Sequence, residues 1–426
     1  MKSYSGIGAP LQLTAGLAML MLVTSLLLHA QVPARAPTPT GAARSPSLRA
    51  QVTTANWDKG GAISHWVYTH LSEVFPAAVV RRGGAVGELP LQPRPEIGAL
   101  VVDDTDPAGT LDRFAGNGAV DGVIVLQHGA IVYEKHPGVA PDETHLVFSV
   151  TKTLVATILA ILEDQGKVDL SKPIETYIPE LKKSAWAGTT LRDVADMRSG
   201  MAGEEKEGDS YRNPARIAFQ LEATLGWQLR TAPSLVPAVR RGDLIGFLSG
   251  MKRVDPPGAK WAYNSTNTAL LAEVVSRVSG KSLADAASDL VWSRIGADHD
   301  ALLVENEVGY PVAHAGLAAT LRDVARFGLV FTKEQTGGRD PVVSERIIQR
   351  MFQARGGKTD EHGMLPLTYQ WDLLGEHGEL AKGGWAGQLL YVNREKDVVV
   401  VWLGTNKTSD YKAEPLACRM IARALP

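Results

Sequence analysis

The chain has 426 residues, 45% of them hydrophobic and 21% charged, with 44 Lys+Arg against 46 Asp+Glu for a formal charge of −2. That is enough apolar material for one large core or two smaller ones, and it leaves no basic field to attract nucleic acid. One cysteine, Cys418, excludes an internal disulfide framework and any thiolate cage for a metal or cluster, which leaves a globular enzyme or small-molecule binder.

Lys2 precedes the run Leu13 to Leu28, apolar apart from Thr14, Gly16, Thr24 and Ser25, with Ala30 as a small-residue exit. A charged start, an apolar centre and a small exit predict a secretory signal peptide over residues 1–30; left uncut, residues 13–28 would instead anchor the chain in a membrane. Residues 31–56, rich in Pro, Ala, Ser, Thr and Arg, read as a disordered linker. The expectation is a periplasmic or secreted protein whose folded domain spans 57–426.

Within that domain Gly122–Leu126 and Ala130–Tyr133 flank Gln127-His128-Gly129, a hairpin pattern, and Gln388–Val392 with Val398–Leu403 flank Asn393 to Asp397, a second one. Between them the period turns helical. Thr151 to Gln165 carries Leu154, Val155, Ile158, Leu159 and Leu162 and stops at Gly166; Thr268 to Val278 carries Leu270, Leu271, Val274, Val275 and Val278 and stops at Gly280. Leu317 to Phe331 reads the same way, and a last amphipathic helix, about Asp410 to Leu425, follows Thr408 and Ser409 as capping candidates. Hairpins from opposite ends of a chain most economically share one antiparallel sheet, with the helical middle, about 150–330, inserted as a lobe. The predicted class is therefore α/β of the α+β type, with a cleft between sheet and helices where chemistry is placed.

Most motifs fail on inspection. Gly280-Lys281-Ser282 lacks the glycine that a phosphate-binding loop needs at position 275, which is Val. His65 and His70 are five apart and off one helical face, and Asp298-His299-Asp300 reads as solvated loop, so no metal site is predicted. No Gly-x-Ser-x-Gly elbow and no dinucleotide fingerprint occur.

A Ser-x-x-Lys spacing survives: it sets a hydroxyl and an ammonium one turn apart on one helical face, where a desolvated lysine can take the serine proton. The chain has three copies. Ser249 with Lys252 sits at a predicted helix end, and Ser409 is more simply an N-cap ahead of Lys412. Ser149 with Lys152 opens a strongly apolar helix whose free amides and dipole face a developing oxyanion; its bland alternative is an N-cap serine with an exposed lysine. Two polar segments join it. Tyr263-Asn264-Ser265-Thr266-Asn267 feeds a helix and offers a tyrosine hydroxyl as a base, or merely caps the helix. Lys382-Gly383-Gly384-Trp385 enters the C-terminal hairpin, where glycines allow close backbone approach by a ligand, or merely make a turn.

In this order the three segments resemble the Ser-x-x-Lys, Tyr-x-Asn and Lys-Thr-Gly elements of the serine β-lactamase and penicillin-binding superfamily. The class C-like branch is the nearer likeness, and within it the 6-aminohexanoate-dimer hydrolases. His145–Lys152, Thr190–Asp193 with Met197–Gly200, and Leu321–Gly328 extend the resemblance from about Trp57 to the C-terminus. It implies a β-lactamase/transpeptidase-like fold and a serine hydrolase that needs no cofactor and acts on a small ester or linear amide. It further implies Ser149 as nucleophile, Lys152 as proton acceptor and Tyr263 as proton relay, with an oxyanion hole from the amides of Ser149 and the Gly384–Trp385 region. Lys382, Ser265, Asn267 and Tyr211 would line the substrate side. Ser265 stands where the superfamily usually has Asn, and Lys-Gly-Gly replaces Lys-Thr-Gly, with a register that the paired glycines leave open; Lys358-Thr359-Asp360 is a decoy. The rival readings are a β-lactamase or D,D-peptidase, and a binding module that keeps the fold without turnover.

Overall fold

The computed structural model describes residues 47–102, 108–205, 210–227, 242–352, 364–365, 369–375, 378–406 and 413–426. The expected signal peptide, the capping pair Thr408 and Ser409, the Ser409–Lys412 copy and the decoy at Lys358 lie outside them.

Both expected hairpins form and share one sheet. Strands β1 (Ala77–Val80), β2 (Val120–Gln127), β3 (Ala130–Lys135), β4 (His145–Leu146), β5 (Ala301–Val304), β6 (Leu317–Ala319), β7 (Met364–Leu365), β8 (Leu373–Gly375), β9 (Glu379–Gly384), β10 (Gln388–Asn393) and β11 (Val398–Gly404) make two antiparallel sheets. The larger runs β3-β2-β11-β10-β9-β8-β7. Its centre joins the two chain ends, with Val125 opposite Val400 and Leu390 opposite Val401.

The alternation of side chains explains why these strands read as unbroken apolar runs: both faces are covered. Val123, Val125, Val398, Val400 and Trp402 face the C-terminal helix Ala413–Ala424 through Ala417, Cys418, Ile421 and Ala422. Ile124, Leu126, Leu390, Val399 and Val401 face the helical lobe. The lone cysteine is buried there, and the Trp402 indole N–H points at its sulfur, 3.1 Å away.

The lobe centres on the helix Thr151–Asp164, buried at every position from Thr151 to Leu162. Three threonines tolerate this because each hydroxyl bonds a carbonyl three or four residues back, Thr151 to Phe148, Thr153 to Val150 and Thr157 to Thr153, at 2.6–2.7 Å. The helix Ser265–Ser279 packs beside it. It begins three residues ahead of the predicted Thr268 because Asn264 caps it, and it ends on Gly280 at φ 67°, as the glycine implies.

The 317–331 reading needs correction. Leu317–Ala319 is strand β6, paired with β4 and β5, and the helix covers only Leu321–Leu329, because the Thr320 hydroxyl accepts the Asp323 amide and starts it there. The smaller sheet, β1-β5-β6-β4, was not predicted at all, so the lobe is not purely helical. Part of the expected linker is also folded: Ser47 caps a one-turn helix, Leu48–Gln51, and Trp57 then enters the core. No helix of the described residues is long and apolar enough to cross a membrane.

Gly328 shows how closely lobe and sheet approach. A methyl group there would lie 2.5 Å from Val399 Cγ1 and 3.0 Å from Leu390 Cδ1. Alanine favours a helix by about 1 kcal/mol over glycine, yet Gly328→Ala is expected to lower stability by about 1–3 kcal/mol through overpacking. Urea denaturation checks the sign; a stabilised variant would contradict this packing.

Candidate active site

The turn that carries Ser149 is held from three sides. The Val147 amide donates to Leu317 O at 2.9 Å, and Thr151 Oγ1 accepts the Leu317 amide at 3.0 Å, tying the turn to β6. Phe148 has φ 45°, a left-handed conformation costly for a bulky residue. Its ring is fixed by Trp57, stacked at 6.2 Å, and by Tyr68, edge-on at 5.0 Å. Ser149 follows in a short 3-10 turn, half-buried, and leads directly into the buried helix.

Lys152 is fully buried one turn on, and its Nζ donates to Ser149 Oγ at 3.2 Å and to the His314 carbonyl at 2.9 Å. The ammonium also lies 4.9 Å from the Tyr263 ring centroid. The buried Lys382 also reaches that tyrosine, donating to Tyr263 Oη at 3.4 Å and to Asp372 Oδ1 at 2.5 Å, with Nζ 4.6 Å from the ring centroid. Two buried ammoniums thus lie close to one phenol ring. Burial and the nearby Lys382 charge pull Lys152 down to about 7, against the opposing pull of Glu205, Asp372 and Glu222. Burial lowers Lys382 as well, opposed by Asp372. His314 is held well below its ordinary value by burial and by Lys152, so the imidazole beside the pair stays neutral.

Lys382 therefore reaches the site beside Tyr263. Asp372 Oδ2 also accepts the Gly383 amide at 2.9 Å, clamping β9 where it passes the site. A methyl group on Gly384 would lie 2.6 Å from the Val147 carbonyl, so the main chain at Gly384–Trp385 lies against the Ser149 turn. The Trp385 indole donates to Asp58 O at 3.1 Å.

The substrate-side candidates divide. Ser265 and Tyr211 come together, their hydroxyls 3.4 Å apart and both on Glu205, which also accepts the Ser265 amide at 2.5 Å. Asn267 does not join them. Two helical positions on, it faces the far side and donates to Met197 Sδ at 3.3 Å within the lobe. Glu205 and Asp372 were missed by sequence reasoning. A carboxylate at the free amides of the Ser265 helix is what helix electrostatics favours, but nothing local marks which acid supplies it. Of the discarded motifs, Ser249 and Lys252 are both exposed, and His65 pairs with Asp121 at 3.0 Å.

The Beta-lactamase family model matches residues 110–419. The chain belongs to that family. This family member is 30% identical over 373 residues to the 6-aminohexanoate-dimer hydrolase of Paenarthrobacter ureafaciens, covering 85% of this chain and 91% of the relative. A solved structure from Bacillus anthracis bearing the same name aligns with a TM-score of 0.77 at 26% identity, over 90% of this chain and all of that one. EstCE1, a hydrolase with promiscuous acyltransferase activity, shares the fold at a TM-score of 0.58 and 13% identity, over 73% of this chain and 96% of its own. The protein is a hydrolase of the serine β-lactamase superfamily with the β-lactamase/transpeptidase-like fold.

A lysine held near 7 costs stability, because the unfolded chain binds its proton up to about 10.5. Between those values the unfolded state holds more protons than the native state, so native stability rises with pH. Lys152→Met is therefore expected to stabilise the protein by about 1–3 kcal/mol at pH 6, a gain that shrinks by pH 9.5. Urea midpoints at the two pH values test it; a variant destabilised at both would contradict the assignment.

Proposed function

We propose that the protein hydrolyses small esters or linear amides through an acyl-enzyme on Ser149. The observation that carries this reading is the 3.2 Å contact between Ser149 Oγ and a buried Lys152 whose pKa is drawn down to about 7. Half of such lysines are neutral at pH 7 and able to accept the serine proton. Ser149 Oγ then attacks the carbonyl carbon, and the oxyanion is received by amides of the turn and of the Gly384–Trp385 segment packed against it. Tyr263, facing both lysines, passes a proton to the departing amine or alcohol. A water molecule attacks the acyl-serine, and the proton it gives up returns serine and lysine to their starting state.

The substrate class follows from the departures and the relatives. Ser265 replaces the asparagine of the second motif and is engaged with Glu205, which supports a simple ester or linear amide over a β-lactam. The name of the Paenarthrobacter relative supplies the amide model, a dimer of 6-aminohexanoate. Export belongs to the same proposal and rests on Lys2 and the run Leu13–Leu28.

Purified protein is expected to turn over p-nitrophenyl acetate, and Ser149→Ala to abolish both turnover and the acyl adduct seen by mass spectrometry. Because Lys152 acts in its neutral form, kcat/KM should rise with pH through about 7 and level above it. Turnover that survives Ser149→Ala contradicts the nucleophile, and steady cephalosporin turnover without ester cleavage would favour a β-lactamase. Ligand binding without acylation in any assay would favour a binding module.

A further inference from the structure

Two consecutive residues ahead of strand β8 depart from the ordinary backbone. Tyr369 has φ 50° and Gln370 φ 65°, the left-handed region that residues with a β-carbon disfavour. Such a pair persists only where its surroundings over-determine it, and strain of this kind gathers at functional sites. The Arg192 guanidinium lies 4.8 Å from the Tyr369 ring centroid, and the tyrosine hydroxyl donates to Glu163 at 2.7 Å. Gln370 is buried and uses both polar atoms of its side chain. Its backbone amide and its Nε2 both donate to the Ala195 carbonyl, at 3.1 and 3.0 Å, and Nε2 also to Val194 O at 3.2 Å. These carbonyls lie at the end of the helix Leu191–Ala195, where acceptors outnumber helical donors. Gln370 Oε1 accepts the hydroxyl of Thr268, buried in the helix Ser265–Ser279, at 2.6 Å.

This joint connects the two segments that meet at Tyr263. Thr268 lies about one turn into the helix that Tyr263 precedes. Asp372, just beyond Trp371, binds the Lys382 ammonium and the Gly383 amide. Lys382 in turn reaches Tyr263 Oη at 3.4 Å, close to the limit for a hydrogen bond, so a displacement of a few tenths of an ångström breaks it. Gln370 and Thr268 are both buried, and what they control is where those two segments sit.

We propose that Gln370 is a positioning residue: by bridging Thr268 and the end of the Leu191–Ala195 helix, it sets Lys382 against Tyr263 and so governs proton delivery to the leaving group. This rests on the Ser149 and Tyr263 reading and adds to it a residue outside the three motifs.

Its effect therefore depends on the leaving group. p-Nitrophenolate departs without a proton, whereas a benzyl alkoxide must be protonated as it leaves. p-Nitrophenyl acetate and benzyl acetate share one acyl group, and kcat/KM on each reports acylation. Gln370→Gly removes the side chain and suits the positive φ, Thr268→Val removes only the hydroxyl, and Thr268→Ser keeps it. The first two are expected to lower kcat/KM about ten-fold for benzyl acetate and less than about three-fold for p-nitrophenyl acetate. Thr268→Ser should keep the wild-type ratio, and Tyr263→Phe should show the same bias more strongly. Turnover of the p-nitrophenyl ester reports that each variant is folded, and Thr268→Val decides the outcome should Gln370→Gly not fold. A wild type that cleaves neither ester overturns the Ser149 reading. A wild type inert towards the benzyl ester, or a Tyr263→Phe without the bias, overturns the proton relay; either failure removes this proposal with it. A biased Tyr263→Phe beside equal losses on both esters, or none, in Gln370→Gly and Thr268→Val overturns the positioning role alone.

Discussion

The burial of Lys152 beneath Ser149 is the constraint to which the rest of the site answers. An ammonium without solvent needs acceptors, and the chain supplies two, the serine hydroxyl and the His314 carbonyl. A second buried cation, Lys382, lies near the same Tyr263 ring and pushes the same equilibrium toward the neutral amine. Acidic groups limit that push: Asp372 is bonded to Lys382, while Glu205 acts on both lysines from the start of the Ser265 helix. In the proposed mechanism the serine is therefore activated by a balance of charges around a buried lysine rather than by one strong base.

That balance needs a rigid frame, and two devices provide it. The central helix is buried from Thr151 to Leu162, which places the Lys152 ammonium out of solvent, and its threonine hydroxyls bond backbone carbonyls of the same turn. The left-handed Phe148 is the second. Its strain is sustained because Trp57 and Tyr68 grip the ring from a segment more than 70 residues earlier in the chain. The N-terminal segment thus helps hold the turn that carries Ser149, although it lies outside the family match.

Long-period patterns were legible in the sequence and short-range accidents were not. The hairpins at 122–133 and 388–403 and the helix from Thr151 announce themselves because each repeats one period over many residues. Strands β4 and β6, two and three residues long, carry no such period, and β6 was absorbed into the helix that follows it. Ser149, Lys152, Tyr263 and Lys382 were found because each lies in a local motif. Glu205 and Asp372 matter only through partners distant in sequence or across a strand turn, and Asn267 was misjudged because motif spacing says nothing of which helical face a residue takes. Whether residues ahead of 110 bear on the site was equally hidden, since aromatic packing on Phe148 leaves no trace in either sequence segment.

The most direct test of this account is the titration of the Lys152 amine itself, followed by NMR of the 13Cε-labelled side chain in the wild type and in Lys382→Met. A midpoint near 7 in the wild type, moving upward when the neighbouring charge is removed, is the predicted result. A midpoint near 10 that ignores Lys382 would contradict the activation of Ser149 by a desolvated lysine.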